Sequence, residues 1–114
     1  MRDVSLIVYS VADMAASKRF FRELIGADPY VDSPPYVGYK SGEMEIGLVP
    51  NTGKPRPGAL AYWTVDDIAA SVKALVDAGG TVEQEITDVA YGLLVASVKD
   101  PSGAVVGFRQ FPKG

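Results

Sequence analysis

The sequence predicts an α+β fold made of two copies of a βαβββ unit. Three observations carry this. First, Val11-Ala12-Asp13-Met14-Ala15-Ala16-Ser17 is echoed by Val65-Asp66-Asp67-Ile68-Ala69-Ala70-Ser71, with five of seven positions identical at an offset of 54. Leu6 and Leu60, and Gly26 and Gly80, keep that offset. A fixed-offset echo is the signature of a duplicated unit. Second, each copy opens on an apolar, β-branched run that leads into a helix-start signal. Third, three prolines and two glycines fall within residues 50–58, a composition that reads as a linker. The expected organisation is one domain over 1–114, with module one at 1–50, the linker at 50–58 and module two at 58–114.

Val4–Val11 reads as the first strand. Asp13 caps a helix over about Met14–Ile25, because its carboxylate accepts the free amides of the first turn. Ala16, Phe20 and Leu24, joined by Phe21, are spaced to form its apolar face. Gly26 stops it by entering the left-handed region. Strands are expected near Tyr30–Val31, Tyr36–Lys40 and Glu43–Val49, with Ser41-Gly42 as a turn. The second copy starts with a strand at about Ala59–Val65. Asp66 or Asp67 caps a helix over about Ile68–Ala78, ended by Gly79-Gly80. Strands follow near Val82–Ile86, Tyr91–Lys99 and Ala104–Phe111. Asp100-Pro101-Ser102-Gly103 makes a tight turn, since proline presets one φ and glycine supplies a positive one. A looser echo at an offset of 60 sets Ile46-Gly47-Leu48 against Val106-Gly107-Phe108.

Composition then excludes chemistry. The 114 residues contain no cysteine and no histidine. Disulfides, thiolate metal sites and cysteine nucleophiles are therefore impossible. So are imidazole bases, a Ser-His-Asp triad and a His-rich zinc site. Any metal would need an all-oxygen set from Asp and Glu, which suits Mg²⁺, Mn²⁺ or Ca²⁺. The net charge of −3 and the lack of a basic run argue against nucleic acid. No apolar stretch is long enough to span a membrane. The first residues show no long apolar segment, and the expected location is cytoplasmic.

The order βαβββ twice, with these residues, resembles the vicinal oxygen chelate superfamily of glyoxalase I, bleomycin-resistance proteins and extradiol dioxygenases. Asp13, Ala16-Ser17, Phe20-Phe21 and Ile25-Gly26 match its first-module pattern. Asp100-Pro101-Ser102-Gly103 matches its turn before the last strand. The resemblance implies a curled mixed sheet, a cup of eight strands with the helices outside. It also implies metal ligands on the first and last strands of each module. Those positions fall on Leu6, Leu60 and Gly107, and on Gly47, or Glu45 if the register slips. Leu and Gly offer no donor, so the metal positions read as vacated and the expected cofactor is none.

Strand alternation names what would face such a cup. With Leu6 and Leu60 go Val4, Val8, Ser10, Tyr62 and Thr64. With Gly107 go Val105, Arg109 and Phe111. With Gly47 go Glu43, Glu45 and Val49. The candidate ligand-binding set is Glu45, Leu60, Tyr62, Tyr91, Arg109 and Phe111. Plainer roles remain open for each. Glu45 and Arg109 also suit an ordinary ion pair or a solvated sheet rim. Tyr62 and Trp63 face opposite ways, and either suits plain core. Gly47 and Gly107 also suit bulges or close backbone approach. Glu83, Glu85 and Asp88 read as an exposed acidic strand. Ser17 and Ser71 have no base near them in sequence.

Three functions follow. The leading one is metal-independent binding of a small aromatic or amphipathic ligand, as the resistance proteins of the family sequester an antibiotic. The second is a lyase, isomerase or dioxygenase-like enzyme. It would use Glu45 as base, with Arg109 or Tyr62 stabilising an enolate, or a non-standard carboxylate metal site. The third is an interaction role with no small ligand. A homodimer is the expected assembly, as the resemblance implies for chains of this length.

Overall fold

The computed structural model describes residues 3–51 and 59–113. Most of the expected linker, residues 52–58, lies outside the described residues. The element order is β1 (Val4–Val11), α1 (Met14–Ile25), β2 (Val31–Ser33), β3 (Tyr36–Ser41), β4 (Met44–Pro50), β5 (Ala59–Thr64), α2 (Ile68–Asp77), β6 (Thr81–Ala90), β7 (Leu93–Lys99) and β8 (Val105–Gln110). The class is α+β, with βαβββ occurring twice. The chain divides into two compact units, one of Ser5–Leu60 and one built chiefly from Ala61–Gly114.

In the first unit the strands run in the order β2-β3-β4-β1. β1 and β4 are parallel, while β3 pairs antiparallel with both β2 and β4. Asp13 caps α1 by accepting from the Ala16 amide at 3.0 Å. Gly26 closes it with φ +81 and donates its amide to the Arg22 carbonyl at 2.8 Å. The face of α1 that packs on the sheet differs from the expected one. Met14, Phe21 and Ile25 meet the buried Val37, Tyr39 and Leu48. Phe20 and Leu24 lie outside, each 66% exposed. Phe21 is common to both faces, and Met14 and Ile25 take the places expected for Phe20 and Leu24. The Tyr39 hydroxyl donates to the Lys18 carbonyl at 3.1 Å and pins α1 to the sheet.

In the second unit the order is β5-β8-β7-β6. β5 and β8 are parallel; β7 pairs antiparallel with β8 and β6. Asp67, the second of the two expected candidates, caps α2 by accepting from the Ala70 amide at 3.1 Å. The Gln110 side-chain carbonyl accepts from the Ile68 amide at 2.7 Å, so β8 satisfies a second free amide of that turn. The core is Val65, Ile68, Ala96, Val98 and Phe108, with Trp63, Val72, Leu75 and Leu94 against it.

The repeat breaks at the helix ends. α1 has 12 residues and α2 has 10. The left-handed glycine after α2 is therefore Gly79, at φ +107, while Gly80 does something else. A Cβ on Gly80 would stand 2.8 Å from the Leu75 carbonyl oxygen and from Val98 Cγ1. Close approach, not backbone freedom, requires glycine there.

The boundary between β6 and β7 differs most from the expected one. β6 runs on to Ala90, and β7 starts at Leu93. Between them Tyr91 and Gly92 both take positive φ, 47 and 91, the signature of a two-residue type I′ hairpin. The expected Asp100 turn is present. Asp100 accepts from the amides of Ser102 and Ala104 at 2.9 and 2.8 Å, and Gly103 has φ +97.

Candidate functional site

In each unit the strands have one face packed on the unit's helix and one turned away from it. The second face carries the candidate residues, and each unit is taken by itself.

In the first unit, Gly38 and Gly47 stand directly opposite one another on β3 and β4. Two glycines side by side leave a bare strip of backbone. Tyrosine rings cover it. A Cβ on Gly47 would lie 2.7 Å from Cε1 of Tyr36. A Cβ on Gly38 would lie 3.0 Å from Cε2 of Tyr36 and 3.2 Å from Cε1 of Tyr30. The Tyr30 hydroxyl donates to Glu45 Oε1. Lys40, opposite Glu45 in register, sets its ammonium 5.0 Å from the centre of the Tyr30 ring. That distance is within cation–π range. The register sets Leu6 beside Glu45 and Val8 beside Gly47, so Glu45 and Gly47 share this face.

In the second unit the arrangement recurs. Tyr62 pairs with Gly107 across β5 and β8. A Cβ on Gly107 would lie 2.6 Å from Cδ2 and Cε2 of Tyr62. One step along, Thr64 pairs with Arg109. Arg109 is only 7% exposed and donates its Nε–H to Thr64 Oγ1 at 3.0 Å. Its guanidinium carbon stands 5.0 Å from the centre of the Phe111 ring. On the other flank of Gly107 is Ser97, fully buried, whose hydroxyl donates to Glu83.

The remaining sequence candidates separate. Leu6 and Leu60 are buried. Tyr91 stands at the β6–β7 hairpin tip and is fully exposed. Phe111 lies just past β8, half exposed. Tyr36, Tyr30 and Lys40 were not among the sequence candidates. The signal that could have found the two tyrosines is the pair of glycines, Gly38 and Gly47, spaced to face each other across the Ser41-Gly42 turn.

A metal at the family positions does not fit these residues. Leu6 and Leu60 have no donor atoms, and the space over Gly47 and Gly107 is taken by tyrosine rings. Among the described residues no group of three or more carboxylates could hold an ion. Glu83 accepts from Ser97, and Asp88 accepts from the Gly92 amide at 3.1 Å. No helix among the described residues is long and apolar enough to cross a membrane.

The glyoxalase/bleomycin resistance protein/dioxygenase superfamily model matches residues 4–108. The chain belongs to that superfamily. A comparison with curated proteins found no significant match. Solved structures share the fold. A glyoxalase/bleomycin resistance protein/dioxygenase superfamily member from Vibrio splendidus 12B01 is 18% identical, with TM-score 0.70 over 92% of this chain and 96% of that one. Methylmalonyl-CoA epimerase from Mycobacterium tuberculosis is 11% identical, with TM-score 0.73 over 96% and 88%. A structure described as NAD-dependent benzaldehyde dehydrogenase from Legionella pneumophila is 17% identical, with TM-score 0.75 over 94% and 98%.

Proposed function

We propose that the protein binds a small aromatic or amphipathic molecule without a metal. One observation carries this reading: tyrosine rings occupy the space over Gly47 and over Gly107, where the family resemblance sets metal ligands. Aromatic faces replace charged donors at both places. Tyr36 and Tyr62 supply apolar contact area with little side-chain entropy to lose. Within the second unit Arg109, held by Thr64, supplies a hydrogen-bonding charge beside Tyr62, and within the first unit Glu45, held by Tyr30, does so beside Tyr36, each unit taken by itself. An apolar surface with a few oriented polar groups is the usual make-up of a small-molecule site. Sequestration of such a molecule needs no base, so the missing histidines impose no penalty. We also expect a homodimer; a sedimentation run showing only monomer at micromolar concentration would overturn that part.

The test uses tag-free protein, because a tag would supply the only histidines. Thermal-shift titrations with small aromatic and amphipathic compounds are run with and without a chelator. The expected result is a set of ligands whose stabilisation is unchanged by the chelator and weakened by Arg109→Lys and Tyr62→Ala. Elemental analysis after incubation with Zn²⁺, Ni²⁺, Fe²⁺, Mn²⁺ and Mg²⁺ should find only a trace of each ion. Near one equivalent of any ion, or turnover abolished by Glu45→Gln, would replace this reading with an enzyme.

A further inference from the structure

We propose a second, independent site in the second unit: an apolar cleft on the α2 side of its sheet that takes a small uncharged aromatic molecule. Tyr62 and Arg109 project from the opposite face, so this site does not depend on theirs. The cleft has a volume of about 380 Å³ and is lined by Trp63, Leu75, Val98, Pro101, Val106 and Phe108. That volume lies in the range of known ligand pockets, about 300–1,000 Å³.

The cleft has a structural cause. α2 ends at Asp77, two residues short of the length of α1. Ala78 and Gly80 then border the space with almost no side chain. Gly80 cannot be enlarged, because a Cβ would strike the Leu75 carbonyl and Val98 at 2.8 Å. The Asp100-Pro101 turn forms the far wall. Water in such a cleft finds few hydrogen-bond partners on its walls, so an apolar ligand displaces it favourably.

The lining also selects the ligand. Trp63 and Phe108, register partners on β5 and β8, lie side by side on the sheet face that lines the cleft, an aromatic surface on which a flat apolar ring can pack. The charged side chains at the rim are Lys99 and Asp100, of opposite sign. The Asp100 carboxylate already accepts two backbone amides, from Ser102 and Ala104. The rim therefore gives no net preference for a charged molecule.

Trp63 is the only tryptophan in the chain, so its emission reports on this cleft. The test titrates the full-length protein with toluene up to aqueous saturation and follows tryptophan emission excited at the red edge of its absorption. The expected result is a saturable shift with a defined Kd. Val106→Phe, which fills the cleft, should weaken binding roughly tenfold or more, equivalent to about 1.4 kcal/mol. Tyr62→Ala, on the opposite face, should leave the Kd unchanged. Ala78→Leu fills the same space from the helix end and serves if Val106→Phe does not fold. No saturable shift in the native protein overturns the proposal. So does a shift that survives a folded filling variant, or one that is lost in Tyr62→Ala.

Discussion

The ring of Tyr62 covers Gly107. The two residues pair across β5 and β8, and a methyl group at position 107 would stand 2.6 Å from two ring carbons. Tyr36 and Gly47 repeat the relationship in the first unit, from a neighbouring strand position instead of the directly paired one. The same physical solution thus occurs in both halves with different partners. Glycine and aromatic ring form one packing unit in each.

Gly107→Ala should therefore destabilise the protein by about 1–3 kcal/mol, as overpacking does. In a Tyr62→Ala background the same change should have little effect, because the ring it strikes is gone. Urea denaturation of the four proteins in a double-mutant cycle checks this. Simple additivity of the two changes would disprove the contact.

Arg109 is buried at 7% exposure and bonds Thr64. Arg109→Met keeps the length of the side chain and removes the donor. The expected loss is about 1–3 kcal/mol, from a hydrogen bond to a charged group lost at a partly buried hydroxyl. Arg109→Lys should lose a similar amount, since an ammonium cannot reproduce the Nε geometry. Full stability in Arg109→Lys would show that charge alone matters there.

Burial pushes the Tyr39 hydroxyl above its ordinary pKa of 10.0. The unfolded chain then ionises this group first. Stability from this difference is fully present below about pH 10 and falls as pH rises from there toward the folded value. Tyr39→Phe should be less stable at neutral pH, having lost the bond to Lys18. It should also show a shallower decline above about pH 10. Parallel declines in both proteins, measured by thermal unfolding from pH 8 to 11, would contradict this assignment.

Tyr91 takes φ +47 at the β6–β7 hairpin tip, a region that asparagine and glycine enter more easily. Tyr91→Asn should stabilise the protein by about 0.5–1 kcal/mol. A fall in melting temperature would show that the tyrosine ring makes a contact worth more than the backbone strain.

Much of the fold was legible in the chain. β1 and α1 begin and end where the β-branched run, the Asp13 cap and Gly26 set them. Those signals act within a few residues, so they survive without tertiary context. The expected face of α1, Ala16, Phe20 and Leu24 joined by Phe21, shares only Phe21 with the face that packs, which adds Met14 and Ile25. Only the sheet beneath decides which one packs. The expected strand over Tyr91–Lys99 begins at Leu93 instead. Tyr91 and Gly92 form the two-residue hairpin turn.

The candidate site divides in the same way. The sequence by itself determined the duplicated βαβββ order, the caps, the absence of histidine and cysteine, and the lack of donor atoms at Leu6, Leu60, Gly47 and Gly107. These follow from residue identity and short-range periodicity. The tertiary structure alone decided that Tyr36 and Tyr62 fill the space over the glycines, that Tyr30 holds Glu45, and that Thr64 holds Arg109. It also decided that a cleft opens beneath Trp63 and Phe108 where α2 stops short. Each of these depends on strand register between segments up to about 45 residues apart, as Thr64 and Arg109 are. Register is set by how whole strands pair and which face they bury. No local pattern in the chain carries that information.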